Sequence, residues 1–251
     1  MSKLRLRELW ESGQPTYGGW LTLPGSVSAE IMGRAGWDWC CIDTQHGLIG
    51  YDAMVPMLQA LSAAGCPPVV RVEWNDPATI MKTLDAGAEG VIIPMVNSVD
   101  EARAAVAACR YAPEGSRSWG PMRARMLNPE YSVESGRDPI CAVMIETVQA
   151  IGSLEQILDQ VSGLDAVFVG PADLSASMGG PIGLEEPSVQ GVVDDVLKRT
   201  TAAGKIAGVN TGPRGSRARE YIEAGVLCLI TGAWGLIGAG MNGYLDAARA
   251  S

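Results

Sequence analysis

PVVRVEWNDPATIMKTLDAGAEGVIIPMV, residues 68–96, reads as one complete β-α-β unit. Its two ends, PVVRVEW (68–74) and GVIIPMV (90–96), are short and almost continuously apolar, with Val and Ile prominent. Strands covered on both faces look like this, because neither face meets water. Between them DPATIMKTLDAG has helical spacing, with Asp76 placed to cap the start, Pro77 at the first helical position and Gly87 to end the helix in left-handed backbone. A strand, one helix and a second strand in so short a span predict a parallel crossover.

The same unit recurs outward in both directions. Further strands are expected at WLTLP (20–24), WCCID (39–43), CAVMIET (141–147), AVFVGP (166–171), KIAGVN (205–210) and VLCLITG (226–232), which makes eight with the two above. The helical stretches between them include SVSAEIMGRAG, YDAMVPMLQALSAAG, SVDEARAAVAACR, VQAIGSLEQILDQ, EPSVQGVVDDVLKRTTAAG, GSRAREYIEAG and a final LIGAGMNGYLDAARA. Gly36, Gly65, Gly204 and Gly225 close four of them as Gly87 closes its own, and Ser98 is placed to start another. Eight β-then-α units in 251 residues fit a single α/β domain, a TIM (β/α)8 barrel over residues 1–251, better than a doubly wound sheet with its Gly-rich first turn. Residues 111–139 form the longest irregular stretch, too long for an idle connection, and are expected to serve function or a subunit contact.

Composition narrows the partners. A net charge of −9 and a pI near 4.7 argue against a protein built to neutralise the phosphates of a nucleic acid. Residues 1–10 lack the apolar centre of a signal peptide and no apolar run reaches membrane-spanning length, so a cytoplasmic protein without a membrane partner is expected. The six cysteines (Cys40, Cys41, Cys66, Cys109, Cys141, Cys228) show no C-x-x-C spacing and sit in apolar contexts, as reduced core residues do.

A TIM barrel keeps its chemistry at the C-terminal ends of its strands, and polar residues gather there in this sequence. The second strand runs into Asp43, Gln45 and His46, the only histidine; the third carries Arg71 and Glu73; the fifth ends in Glu146 and Thr147; the sixth runs into Gly170, Pro171, Ala172 and Asp173. Two carboxylates on neighbouring strand ends, Glu146 and Asp173, can share a hard divalent cation whose remaining positions go to water and substrate oxygens, although each alone could equally cap a helix. Backbone N–H groups in the GPAD turn can receive an anionic carboxylate. Arg71 interrupts an apolar strand, so it either pairs with an internal carboxylate such as Glu73 or Asp43 or faces the substrate. His46, at a strand end, is the side chain whose proton moves near neutral pH. Lys82, Lys198 and Lys205 fall in helices or at a strand's start, which leaves no Schiff-base lysine for the mouth.

The segments IDTQH, VVRV, NDPATIMKTLDAGAEGVIIPMV, EARAAVAACRYAPEGSRSWGP, MIET and VFVGPADLS resemble, in order and spacing, the HpcH/HpaI aldolases, metal-dependent class II pyruvate aldolases, across roughly residues 18–235. That resemblance implies a carbon–carbon lyase that binds Mg2+, Mn2+ or Co2+ through Glu146 and Asp173 and adds a pyruvate or hydroxypyruvate enolate to an aldehyde, or cleaves 4-hydroxy-2-oxo acids. It implies further that the backbone amides of Ala172 and Asp173 meet the substrate carboxylate, that Arg71 steadies the keto or enolate oxygen, and that His46 does base chemistry tuned by Asp85. It also implies a homo-oligomer, a hexamer built as a trimer of dimers with the last helix exchanged. Asp85 ends the helix after the third strand, at the far end of the barrel from His46, so such a pair requires Asp85 from a neighbouring protomer. Two positions depart from the family pattern: Met144 stands where Gln is frequent and Gln45 where Glu is common, which bears on substrate range. Trp119, Arg123 and Arg125 either shape the aldehyde pocket or only pack between subunits. A CoA-ester lyase of the citrate lyase β type and a noncatalytic 2-oxo-acid or metal binding protein are the alternative functions.

Overall fold

In the computed structural model, which describes residues 5–180, 186–212, 215 and 217–250, the 68–96 unit folds as its spacing predicts. β3 (Pro68–Arg71) and β4 (Gly90–Ile93) pair in parallel across α4 (Pro77–Asp85). Asp76 caps α4 by accepting from the Thr79 N–H at 2.8 Å, and Gly87 leaves it with φ of 95°. The remaining strands are β1 (Thr16–Leu21), β2 (Trp39–Asp43), β5 (Ile140–Ile145), β6 (Ala166–Val169), β7 (Ile206–Asn210) and β8 (Cys228–Gly232). Each pairs in parallel with the next and β8 closes on β1, so the sheet is an eight-stranded barrel.

Around it run α2 (Ser26–Arg34), α3 (Tyr51–Ala63), α4, α5 (Val99–Cys109), α7 (Val148–Gln160), α9 (Pro187–Ala202), α10 (Ala218–Glu223) and α11 (Ala233–Ala250). Short α8 (Pro171–Ser177) follows β6 directly, before α9. Among the described residues no helix is long and apolar enough to cross a membrane. All six cysteines are free and buried.

The structure departs from the sequence expectation in three places. β1 starts at Thr16 and not at Trp20. A Cβ at Gly18 would run into the Trp39 indole and one at Gly19 into Met32 and Cys40. These glycines make room on both faces of the strand and do not break it. The stretch 111–139 is not wholly irregular: it holds α6 (Met122–Leu127) and a 3-10 turn (Ser135–Arg137), and Trp119 stacks between Tyr111 and Tyr131 with ring centroids 5.1 and 5.9 Å apart. No residue of α6 is buried, so no apolar stripe announces it. Finally, α1 (Arg5–Glu11) precedes the barrel and sends Leu6 and Trp10 into the apolar cluster inside it, beside Trp39 and Phe168.

Inside, Trp39 and Phe168 meet edge to face with centroids 6.1 Å apart. This interior is packed: Thr16 meets Trp10 at the foot, and Asp43, Arg71 and Glu146 are buried at the mouth.

Candidate active site

Asp43, the last residue of β2, is buried at the mouth and collects five hydrogen bonds. Arg71 at the end of β3 meets it fork to carboxylate, Nε to Oδ1 at 2.9 Å and Nη2 to Oδ2 at 2.5 Å. Trp20 Nε1–H donates to Oδ2 at 3.2 Å, and the backbone N–H groups of Gln45 and His46 donate to Oδ1 at 3.1 and 3.2 Å. Burial pushes the Asp43 carboxyl up, but the Arg71 fork outweighs it, helped by Trp20 and the His46 N–H, and holds it below the usual carboxylate range. Of the two partners open to Arg71 in the sequence, Asp43 takes Nε and Nη2. Its Nη1 faces the sulfur of Met144 at 3.8 Å, a weak acceptor, and the guanidinium lies 5.1 Å from the Trp20 ring centroid.

Glu146, one residue past β5, is 1% exposed. Its Oε1 accepts the Met95 N–H at 2.6 Å, and its Oε2 is buried with no partner among the described residues. Oε2 lies against Gly170, where any Cβ would overlap it. Burial raises the Glu146 carboxyl to about 6, against the Met95 N–H, with Asp173 raising it further and Arg71 lowering it. The nearby Asp173 is exposed in the first turn of α8, with Ala172 exposed before it. The structure therefore brings Asp43, Arg71, Met144, Glu146 and Asp173 to one end of the barrel. Among the described residues no three His, Cys, Asp or Glu side chains group as metal ligands.

His46 stands exposed in the loop after β2, held through its backbone by Asp43, and its ring has no hydrogen-bond partner among the described residues. Asp85 is elsewhere. It is the last residue of α4, which runs back to the foot of the barrel, and there it pairs with the buried Arg117 at 2.6 Å. The loop carrying Trp119, Arg123 and Arg125 links α5 to β5 and so lies at the foot as well, where Arg123 donates to Ala86 O at 2.8 Å and to Ser62 Oγ at 3.2 Å. Within one chain it cannot shape a pocket at the mouth. Lys82 of α4 lies over the Tyr51 ring at the start of α3, in the outer ring of helices, and Lys205, just before β7, donates to the Leu164 carbonyl at the foot.

Three contributors escape a reading by strand ends. Trp20 looks like an ordinary core residue, Met95 acts through its backbone N–H alone, and Gly170 acts by lacking a side chain. Only the glycine leaves a trace in the sequence, as the first residue of GPAD.

The family model described as HpcH/HpaI aldolase/citrate lyase matches residues 17–219. A relative from Salmonella typhimurium named 4-hydroxy-2-oxo-heptane-1,7-dioate aldolase is 41% identical over 235 residues, covering 92% of this chain and 88% of its own. A crystal structure of an HpcH/HpaI aldolase/citrate lyase family protein from Burkholderia cenocepacia superposes with a TM-score of 0.91 at 30% identity, covering 99% of this chain and all of the other. The citrate synthase SbnG gives 0.86 at 29% identity over 98% of both chains. A closed parallel barrel with acidic and basic groups at its mouth defines the class, and the chain belongs to the HpcH/HpaI aldolase/citrate lyase family. It is an aldolase, a carbon–carbon lyase.

Proposed function

We propose that this aldolase is divalent-metal-dependent, takes a 2-oxo acid, pyruvate or hydroxypyruvate, as its nucleophile, and joins it reversibly to an aldehyde to form a 4-hydroxy-2-oxo acid. The single observation that carries the metal reading is Glu146 Oε2, a buried carboxylate oxygen with no partner among the described residues, lying where Gly170 leaves room. An ionised oxygen in that position costs free energy until a cation or proton meets it. Glu146 and Asp173 would hold Mg2+, Mn2+ or Co2+, with water and substrate oxygens completing the shell. When bound, the cation acts as a Lewis acid on the 2-oxo group.

The chain's own residues supply the rest. Arg71, fixed by Asp43, carries a positive charge whose Nη1 meets the weakly accepting sulfur of Met144, and it steadies the keto oxygen where negative charge gathers. Backbone amides of Ala172 and Asp173 receive the substrate carboxylate. His46 moves the proton at the aldehyde-derived oxygen, with Asp85 of a neighbouring protomer tuning it. That pairing calls for an oligomer, and α11 is the element suited to exchange, because its apolar residues find little cover in their own chain. Relatives named 4-hydroxy-2-oxo-heptane-1,7-dioate aldolase support the substrate class. We place the enzyme in the cytoplasm, consistent with its free cysteines.

Incubating the enzyme with pyruvate or hydroxypyruvate and a panel of aldehydes, with and without EDTA, tests the reading. Product should form with one donor, vanish with EDTA and return on adding Mn2+ or Co2+; turnover indifferent to EDTA overturns the metal assignment.

A further inference from the structure

Met95 is the one residue other than glycine with left-handed backbone among the described residues, at φ 56°. A residue with a side chain keeps that conformation only where its surroundings hold it. Met95 lies just past β4, and its N–H donates to Glu146 Oε1 at 2.6 Å. Its carbonyl accepts from Asn97 Nδ2 at 2.8 Å. Asn97 Oδ1 accepts in turn from Thr147 Oγ1, and Thr147 follows Glu146 in the chain and caps α7. The Asn97 backbone N–H donates to Glu101 Oε2 at 2.6 Å, which ties it to the first turn of α5. The ends of β4 and β5 are thus joined around Glu146 by a ring of hydrogen bonds in which the Asn97 side chain links the Met95 carbonyl to the Thr147 hydroxyl.

We propose that Asn97 is a positioning residue for the Glu146 carboxylate. It latches Met95 in the left-handed turn, the turn aims an N–H at Oε1, and Oε2 is left against Gly170 for the cation. This rests on the metal reading above and deepens it. Both ends of the amide are in use, a donor toward Met95 and an acceptor toward Thr147, so neither an apolar residue nor a carboxylate can take its place. Groups that orient a ligating carboxylate govern metal affinity although they never touch the metal.

Mn2+ binding to the metal-free full chain, followed by electron paramagnetic resonance of the free ion, tests the proposal beside thermal melts without metal. Asn97→Ala is expected to weaken Mn2+ binding about tenfold, while the metal-free melting temperature moves by less than about 3 °C. Asn97→Asp keeps the shape and an acceptor for Thr147 but has no hydrogen for the Met95 carbonyl; it should show the same loss, and it serves if the alanine variant does not fold. Glycine takes positive φ without help, so Met95→Gly added to either variant should recover most of the lost affinity. Unchanged affinity in both Asn97 variants, or no recovery on adding Met95→Gly, overturns the positioning role. Wild-type protein that takes up no Mn2+, or a Glu146→Gln variant that takes it up equally well, sinks the metal reading instead and this proposal with it.

Discussion

Glu146 shows how one buried oxygen couples stability to function. Its carboxyl sits at about 6 against an ordinary 4.5, chiefly because burial disfavours the charge. Between those values the folded protein holds a proton that the unfolded chain has released, so stability falls as pH rises through that window. Above it the metal-free protein carries a penalty of about 2 kcal/mol from this one group. Glu146→Gln removes the charge while keeping the shape. Metal-free E146Q should therefore be more stable than wild type at pH 7 by roughly 1–2 kcal/mol in urea unfolding, with the gap closing toward pH 4; a gap independent of pH counts against the assignment. Asp43 contrasts with it. The Arg71 fork holds that carboxyl below its ordinary 3.8, so its contribution is present at neutral pH and is lost only as acid protonates it. Both carboxylates follow apolar strands in the sequence, and nothing in the residue order says that one is satisfied and the other not.

At the scale of elements, the strands and the helices that flank them follow from periodicity and caps, because each strand buries both faces and each helix buries one. α1 does not. RLRELWE is too short and too charged to announce a core element, but Leu6 and Trp10 lie one turn apart and enter the barrel from its foot. Arg7 holds the helix there by pairing with Asp165 at 2.7 Å, and Trp10 Nε1 donates to Thr16 Oγ1 at 3.1 Å. The helix is therefore a plug in the barrel interior. Leu6 is fully buried, and Leu6→Ala should cost about 2–4 kcal/mol by chemical denaturation. A loss under about 0.5 kcal/mol, typical of surface positions, would show that α1 does not plug the foot.

For the whole molecule the last helix decides what remains. Trp234, Ile237, Met241 and Tyr244 of α11 are 68%, 47%, 58% and 74% exposed and recur at three- and four-residue steps. An exposed apolar stripe of this kind marks a contact surface. Ile237→Glu combined with Met241→Glu should shift sedimentation velocity toward smaller species without changing far-ultraviolet circular dichroism. Under the proposed pairing aldol turnover should fall with it, since His46 would lose the neighbour's Asp85. The same sedimentation coefficient as wild type would dismiss exchange of this helix.

Apolar periodicity and helix caps were enough to define eight β-α units and their closure into a barrel, and the polar residues after four of the strands pointed to one end of it as the place for chemistry. These are local properties, written in residues near one another in the chain. Which partner Arg71 takes, that one Glu146 oxygen is unsatisfied among the described residues, that Met95 turns left-handed to meet the other, and that Asp85 pairs with Arg117 depend on contacts between residues far apart in sequence. Pairing of neighbouring strands creates those contacts: it brings Asp43 to Arg71 and Glu146 to Gly170, and a buried charge has no defined energy until its neighbours in space are in place.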